Sequence, residues 1–363
     1  MSAIGFTLAR YLSLKFLWTV LGVFGTMFAL IYLIDFVELF RRSGDAKGAT
    51  AQLVAFLSLL RVPAVAEQML PFSVLFGAMF AFLNLTRKLE LIVARAAGVS
   101  VWQFMAPPLV VALLLGLFAV MVYNPLSAIF KQRADRLETK LFGQMQDSNS
   151  EVDLWIRERG LDGQAILRAA RASDGGVVLS GVTAFVYEPD GAFMERVESP
   201  RAELHPGYWA FENARVLAPD TAPVDDKTYL LATNLTPEQV TQSFVPPESV
   251  PFWTLPEVRD QTERAGLDAT AYSLQYQKLL ARPLLFVAMV LVAASFSLRF
   301  FRFGGVARMV SGGVASGFVL YVSTKLVGDL GGAGLISTTV AAWSPAIIGS
   351  MLGSLVLLYQ EDG

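Results

Sequence analysis

Apolar residues along the chain gather into six long runs, with polar residues collected between them. The runs cover 14–37, 62–85, 105–129, 280–300, 305–327 and 340–359. Each is near the roughly 20 mostly apolar residues that a helix needs to cross a bilayer core, so each is expected to be a transmembrane helix. Apolar text already starts at Leu53, but Arg61, Pro63, Glu67 and Pro71 interrupt it. Residues 50–61 are therefore expected to form a separate amphipathic helix near the interface. The first run exceeds the roughly 7–15 residue core of a signal peptide and no small-x-small cleavage pattern follows it. A retained helix is expected there.

Between the third and fourth runs the pattern changes. Short strand-like stretches recur at Val152–Arg157, Ala165–Ala170, Val177–Tyr187, Phe193–Val197, Tyr208–Leu217 and Thr228–Thr233. Turn residues separate them: Gly160, Gly163, Gly175-Gly176, Pro189-Asp190-Gly191 and Pro219-Asp220. Prolines 246, 247, 251 and 256 then mark a linker, with a short helix expected over 254–264. The expected fold is a polytopic α-helical membrane protein with an inserted all-β domain, a sandwich or open roll. Its parts are 1–130 (spans one to three), 131–278 (the inserted domain and linker) and 279–363 (spans four to six).

Composition agrees with this division. Of 363 residues, 54% are hydrophobic and 17% charged, against about 25% charged in ordinary soluble domains. The net charge of -2 gives no general attraction to nucleic acid. With no cysteine and the single histidine His205, disulfides, thiolate metal sites and multi-histidine sites are excluded. His205, beside Pro206, reads as a strand-edge or loop residue. The chain lacks a G-x-x-x-x-G-K-[ST] phosphate loop, G-x-S-x-G and H-E-x-x-H. No catalytic site and no cofactor are expected, so energy for any work must come from a partner.

Charge also bears on orientation. With the N-terminus inside, the inner segments carry Arg10, Lys15, Arg87, Lys88, Arg95, Arg299, Arg302 and Arg308, while loop 329–339 has no lysine or arginine. Cytoplasmic termini and an outside 131–278 segment follow from the positive-inside bias. Against that bias, Arg41, Arg42, Lys47 and Arg61 fall in a short outer loop, and Lys131, Arg133, Arg136, Lys278 and Arg282 lie at outer helix ends. Such a ring could hold an anionic lipid headgroup, since guanidinium binds phosphate in bidentate fashion. It could equally be a set of anchors snorkelling to headgroups. Lys325 stands four residues before Asp329; an i,i+4 ion pair is the simpler reading, a cavity-facing charge the other.

The inner loop 86–104 carries Arg87, Lys88, Glu90 and Arg95 on a helix expected over 87–97, stopped by Gly98. It suits either an ordinary interfacial turn or a docking helix for a cytosolic partner. Gly313/Gly317 and Gly349/Gly353 make small-xxx-small pairs, which indicate close helix packing.

Several local motifs carry a resemblance in order along the chain. These are Glu90 followed by Ala94-Arg95-Ala96-Ala97-Gly98-Val99-Ser100, Phe252-Trp253-Thr254-Leu255-Pro256, Ala265-Gly266-Leu267-Asp268-Ala269 with Tyr272, and Ala341-Ala342-Trp343-Ser344-Pro345. Together with the order of parts they resemble the LptF/LptG (YjgP/YjgQ) permeases of the lipopolysaccharide exporter over nearly the whole chain. Asp35-Phe36-Val37-Glu38-Leu39 and the Ala-Ala-Trp-x-Pro text are more similar to the G than to the F branch. Leu89 stands where family members often have serine.

The resemblance implies a multi-pass protein of the Gram-negative inner membrane with a periplasmic jellyroll-like domain. It implies an F-type homologous permease as partner, an LptB ATPase dimer on the inner loops, and LptC and LptA as periplasmic β-proteins receiving lipopolysaccharide. Glu90, Arg95, Ala97 and Gly98 would couple to the ATPase. Arg41, Arg42, Lys131, Arg133, Arg136 and Lys325 would hold the phosphates of lipopolysaccharide. The alternatives are an F-type subunit, a membrane anchor for a β-domain, and an enzyme acting on lipid. The last lacks paired acids, cysteine or histidine in its spans.

Overall fold

The computed structural model describes residues 5–43, 50–146, 154–160, 163–173, 176–188, 190–219, 221–233, 235–237, 245–264, 268–299 and 306–362. They form two compact units: 1–141 with 251–253 and 273–363, and 142–250 with 254–272. The first is helical: α1 (Phe6–Ser43), α2 (Ala51–Arg87), α3 (Glu90–Ala96), α4 (Val101–Phe118), a π-helical turn (Ala119–Tyr123) leading directly into α5 (Asn124–Gln146), α7 (Thr270–Arg299), α8 (Val306–Gly332) and α9 (Thr338–Asp362). A further helix, α6 (Leu255–Arg264), belongs to the second unit.

Among the described residues, six helices are long and apolar enough to cross a membrane: Phe6–Ser43, Ala51–Arg87, Val101–Glu138, Thr270–Ser297, Val310–Gly332 and Thr338–Tyr359. They match the six runs. One expectation is corrected, because residues 50–61 are not a separate helix. α2 runs unbroken from Ala51 through Pro63 and Pro71. Its interrupting charges are satisfied inside the bundle by ion pairs with other helices, so they do not force a break.

The bundle core gathers Phe16 and Val20 of α1, Leu75 and Phe82 of α2, Phe104 of α4 and Phe286 of α7. Glycines set several crossings. A Cβ on Gly77 would meet the Val20 backbone at 2.6 Å, and one on Gly353 would meet Leu291 at 2.7 Å, so those helices approach nearly backbone to backbone. Gly313 and Gly317 receive Met79 and Leu75 of α2, as the small-xxx-small spacing predicts.

Among the described residues, the second unit carries a six-stranded antiparallel sheet in the order β1-β2-β3-β4-β5-β6, a meander. The strands are β1 Leu154–Gly160, β2 Gly163–Ser173, β3 Val178–Tyr187, β4 Phe193–His205, β5 Tyr208–Leu217 and β6 Val224–Ala232. The sequence marks each strand, though β4 runs eight residues past its expected end at Val197. Trp209, Phe211, Leu167 and Leu179 lead its core.

A crease runs across three of these strands. The flanking register sets Gly181 opposite Pro200 and Pro200 opposite Asn213. Buried positions step by three across this line, Leu179 to Val182, Ser199 to Ala202 and Phe211 to Ala214. In a regular strand a three-residue step changes face. Gly181 (φ 62°) and Asn213 (φ 51°) are left-handed, and such bulge-like breaks shift the alternation and bend the sheet. Both halves therefore bury their side chains in one core. Where Pro200 cannot donate, the buried Ser199 hydroxyl accepts from Arg201 N–H (3.2 Å) and donates to Glu212 C=O (2.6 Å).

Candidate functional site

At one end of the bundle, α2 stops at Arg87 and only Lys88 and Leu89 separate it from α3. Leu89 is the N-cap, with φ 61° and no side-chain cap bond. α3 ends in a paired C-cap: Gly98 (φ 85°) donates to Arg95 C=O at 2.9 Å, and Val99 to Ala94 C=O at 3.1 Å. Ser100 and Gln103 then form a capping box that starts α4. This helix is thus shorter than the expected 87–97, because α2 claims Arg87.

Glu90 faces α1. Its carboxylate accepts from Lys15 Nζ at 3.0 and 3.2 Å and from Tyr11 OH at 3.0 and 3.2 Å. Lys15 also donates to Tyr11 OH at 3.0 Å. Burial alone would raise the Glu90 pKa; hydrogen bonds from Lys15 and Tyr11 and the charges of Lys15 and Lys88 outweigh it and hold the carboxyl below its ordinary range. Arg95, Ala97 and Gly98 are exposed. So are the apolar Leu89 (53%) and Val93 (66%), one turn apart.

The cations gather elsewhere. Arg41 and Arg42, both exposed at the end of α1, share Glu38, at 2.9 and 2.8 Å. One carboxylate against two guanidiniums leaves a surplus positive charge. Arg61 of α2 reaches Asp35 of α1 (3.6 Å) and Glu138 of α5 (3.4 Å). It thereby ties the α1 segment just before Arg41 to the α5 segment just after Lys131, Arg133 and Arg136. Arg133 and Arg136 are exposed and Lys131 is half-buried. Lys325, on α8, is exposed and forms no ion pair with Asp329. The simpler i,i+4 reading is corrected; that lysine takes part in none of the contacts that join α1, α2 and α5.

Sequence reasoning passed over a buried polar cluster. Glu67 of α2, 6% exposed, accepts from Arg282 of α7, from Ser127, and from Asn124 Nδ2 at 2.9 Å. Asn124 Oδ1 in turn accepts from the Phe252 N–H at 2.9 Å, and Trp253 Nε1 donates to the Met121 carbonyl at 3.2 Å. Met121 lies in the π-helical turn, where the widened ladder leaves carbonyls free for such partners. The Phe252-Trp253 motif is therefore held on this turn, while Glu67 joins α2, α5 and α7. A usable signal existed. A lone acid and a lone base in apolar runs are expected to find each other.

In comparison with known proteins, the family described as "Lipopolysaccharide export system permease LptF/LptG" matches residues 10–359. The chain is also similar to the lipopolysaccharide export system permease protein LptG of Haemophilus influenzae. The two are 23% identical over 360 residues, 97% of this chain and 96% of that protein.

Proposed function

The chain belongs to the LptF/LptG family of lipopolysaccharide export permeases, and on that premise we propose that it is the G-type half of a paired permease whose partner ATPase supplies the work. It is a multi-pass inner-membrane protein. In this reading α3 lies on the cytoplasmic side with both termini, and the β-sheet unit lies in the periplasm. An ATPase dimer docks on α3 through Glu90, Arg95, Ala97 and Gly98. Arg41, Arg42, Lys131, Arg133, Arg136 and Lys325 hold the phosphates of lipopolysaccharide at the outer boundary. An F-type homologue is the second permease of the pair, and LptC and LptA receive the lipid. The chain itself performs no catalysis.

The observation that carries this reading is the exposed face of α3. Leu89 and Val93 present apolar side chains at a helix end rich in charge, which suits a protein groove. The surplus positive charge around Glu38 suits a phosphate, where guanidiniums bind in bidentate fashion. α1 and α8 bury the fewest residues in their most apolar stretches, whereas α7 buries most of its own, and α1 and α8 offer the surfaces a second permease would cover.

Copurification from native membranes in mild detergent tests the assignment. An ATPase and a second six-span homologue recovered with the chain are expected, and Val93→Asp should lose the ATPase. A chain recovered without either would refute the paired-permease reading.

A further inference from the structure

Lys15 and Tyr11 stand one turn apart on the same face of α1, and both hold the Glu90 carboxylate. The Lys15 side chain is 14% exposed and that of Glu90 31%, so water competes only partly for the pair. Lys15 Nζ also lies 5.0 Å from the centre of the Tyr11 ring. Around them Leu8, Leu91 and Val99 pack on the core that contains Leu12 and Phe16.

The two routes leading away from α3 are built differently. Toward α2 the connection is Lys88-Leu89, with Leu89 in a left-handed conformation, and α2 itself contains Pro63 and Pro71. Each proline removes a ladder bond and invites bending. Toward α1 the connection is the Glu90 cluster, and α1 is one uninterrupted helix of 38 residues without proline. From Lys15 to Arg41 is 26 residues, about 39 Å at 1.5 Å per residue. That is close to the ~40–45 Å of a bilayer with its headgroups. The helix that grips Glu90 at one end thus carries Arg41 and Arg42 at the other.

We propose that Lys15 and Tyr11 are positioning residues that fasten Glu90 to α1, so that movement of α3 is delivered along α1 to the Arg41–Arg42 end. The inference rests on the permease function proposed above. It adds that the stroke enters the membrane through α1 and that Glu90 acts inward on α1 as well as outward on a partner. Docking then draws on the exposed face of α3 together with Glu90, and transmission on the hold that Lys15 and Tyr11 keep on the Glu90 carboxylate.

The test uses the purified complex of this chain, its partner permease and the ATPase, in proteoliposomes containing lipopolysaccharide. Lys15→Met, Tyr11→Phe and the double variant are compared with Lys15→Arg. ATPase stoichiometry, ATP hydrolysis and lipopolysaccharide delivered per ATP are read together. The double variant is expected to keep the ATPase and its hydrolysis while delivery per ATP falls about tenfold, within the usual range of coupling between sites. Lys15→Arg, which keeps the charge, is expected to restore most of the delivery. Unchanged delivery per ATP in the double variant would overturn the proposal, as would loss of the ATPase itself, which would make these residues part of docking. A wild-type complex that binds ATPase but moves no lipopolysaccharide overturns the function beneath it instead.

Discussion

Glu67 of α2 and Arg282 of α7 form a buried ion pair, 8% and 15% exposed at their side chains, that joins helices far apart in the chain. Asn124 and Ser127 of α5 fill out the carboxylate's remaining acceptor sites. A buried charge stripped of its partner is costly, whereas removing both charges together is much milder. Arg282→Met is expected to destabilise the chain by about 3–5 kcal/mol, read as a lower unfolding midpoint in detergent. Glu67→Gln with Arg282→Gln should recover most of the loss. Equal midpoints for the single and double variants would show that the pair contributes little.

The Trp253 indole donates to the Met121 carbonyl within the π-helical turn. Trp253→Phe keeps an aromatic ring and removes this bond, at a cost of about 1 kcal/mol. Hydrogen exchange of amides 119–123 should accelerate while exchange in α9 stays unchanged. Uniform acceleration across both would assign Trp253 a general packing role.

Leu89 holds a left-handed backbone at the N-cap of α3 with no side-chain cap. That conformation costs a non-glycine residue about 1–2 kcal/mol, and asparagine adopts it more readily than leucine. Leu89→Asn is expected to increase amide protection in α3 and, by removing an exposed apolar side chain, to weaken ATPase retention. Decreased protection would contradict this account of the turn.

The Glu90 carboxyl is held below its ordinary range of about 4.5 by Lys15 and Tyr11 despite the opposing effect of burial. A folded-state pKa depressed below the unfolded value gives stabilisation that is present above the unfolded value and lost as pH falls through the folded one. α3 protection, corrected for intrinsic exchange, should be flat from neutral pH down to that range and fall only below it. Lys15→Met should move the fall upward. A fall near pH 7 in the wild type would contradict the assignment.

In the sheet, Ser199→Ala removes the hydroxyl that bonds the Arg201 and Glu212 backbones at the crease. Leaving buried backbone groups unpaired costs about 1–3 kcal/mol. Asn213→Gly, which suits φ 51°, should be neutral or stabilising, and Asn213→Val clearly destabilising. Thermal midpoints of the full chain check the order.

Local patterns in the sequence carried much of this. Six apolar runs and turn-bounded strands are written in nearest-neighbour text, so the helices and the sheet were legible. Pro63 and Pro71 read as a break because the rule for proline is local, whereas the ion pairs of Arg61 and Glu67 that accompany the continuous α2 are not. The crease was invisible for a related reason: Gly181, Pro200 and Asn213 mean little apart and form a line only in register. Glu90 was legible as a motif residue. Its hold on Lys15, 75 positions away, required the folded chain.

The most direct test of the export function is delivery from proteoliposomes that contain this chain, its homologous permease, the ATPase and lipopolysaccharide. With ATP, lipopolysaccharide is expected to reach a soluble β-protein acceptor, and Arg133→Glu with Arg136→Glu should lower its crosslinking to the chain without lowering expression. Delivery that is absent, or that proceeds equally without ATP, would contradict the account.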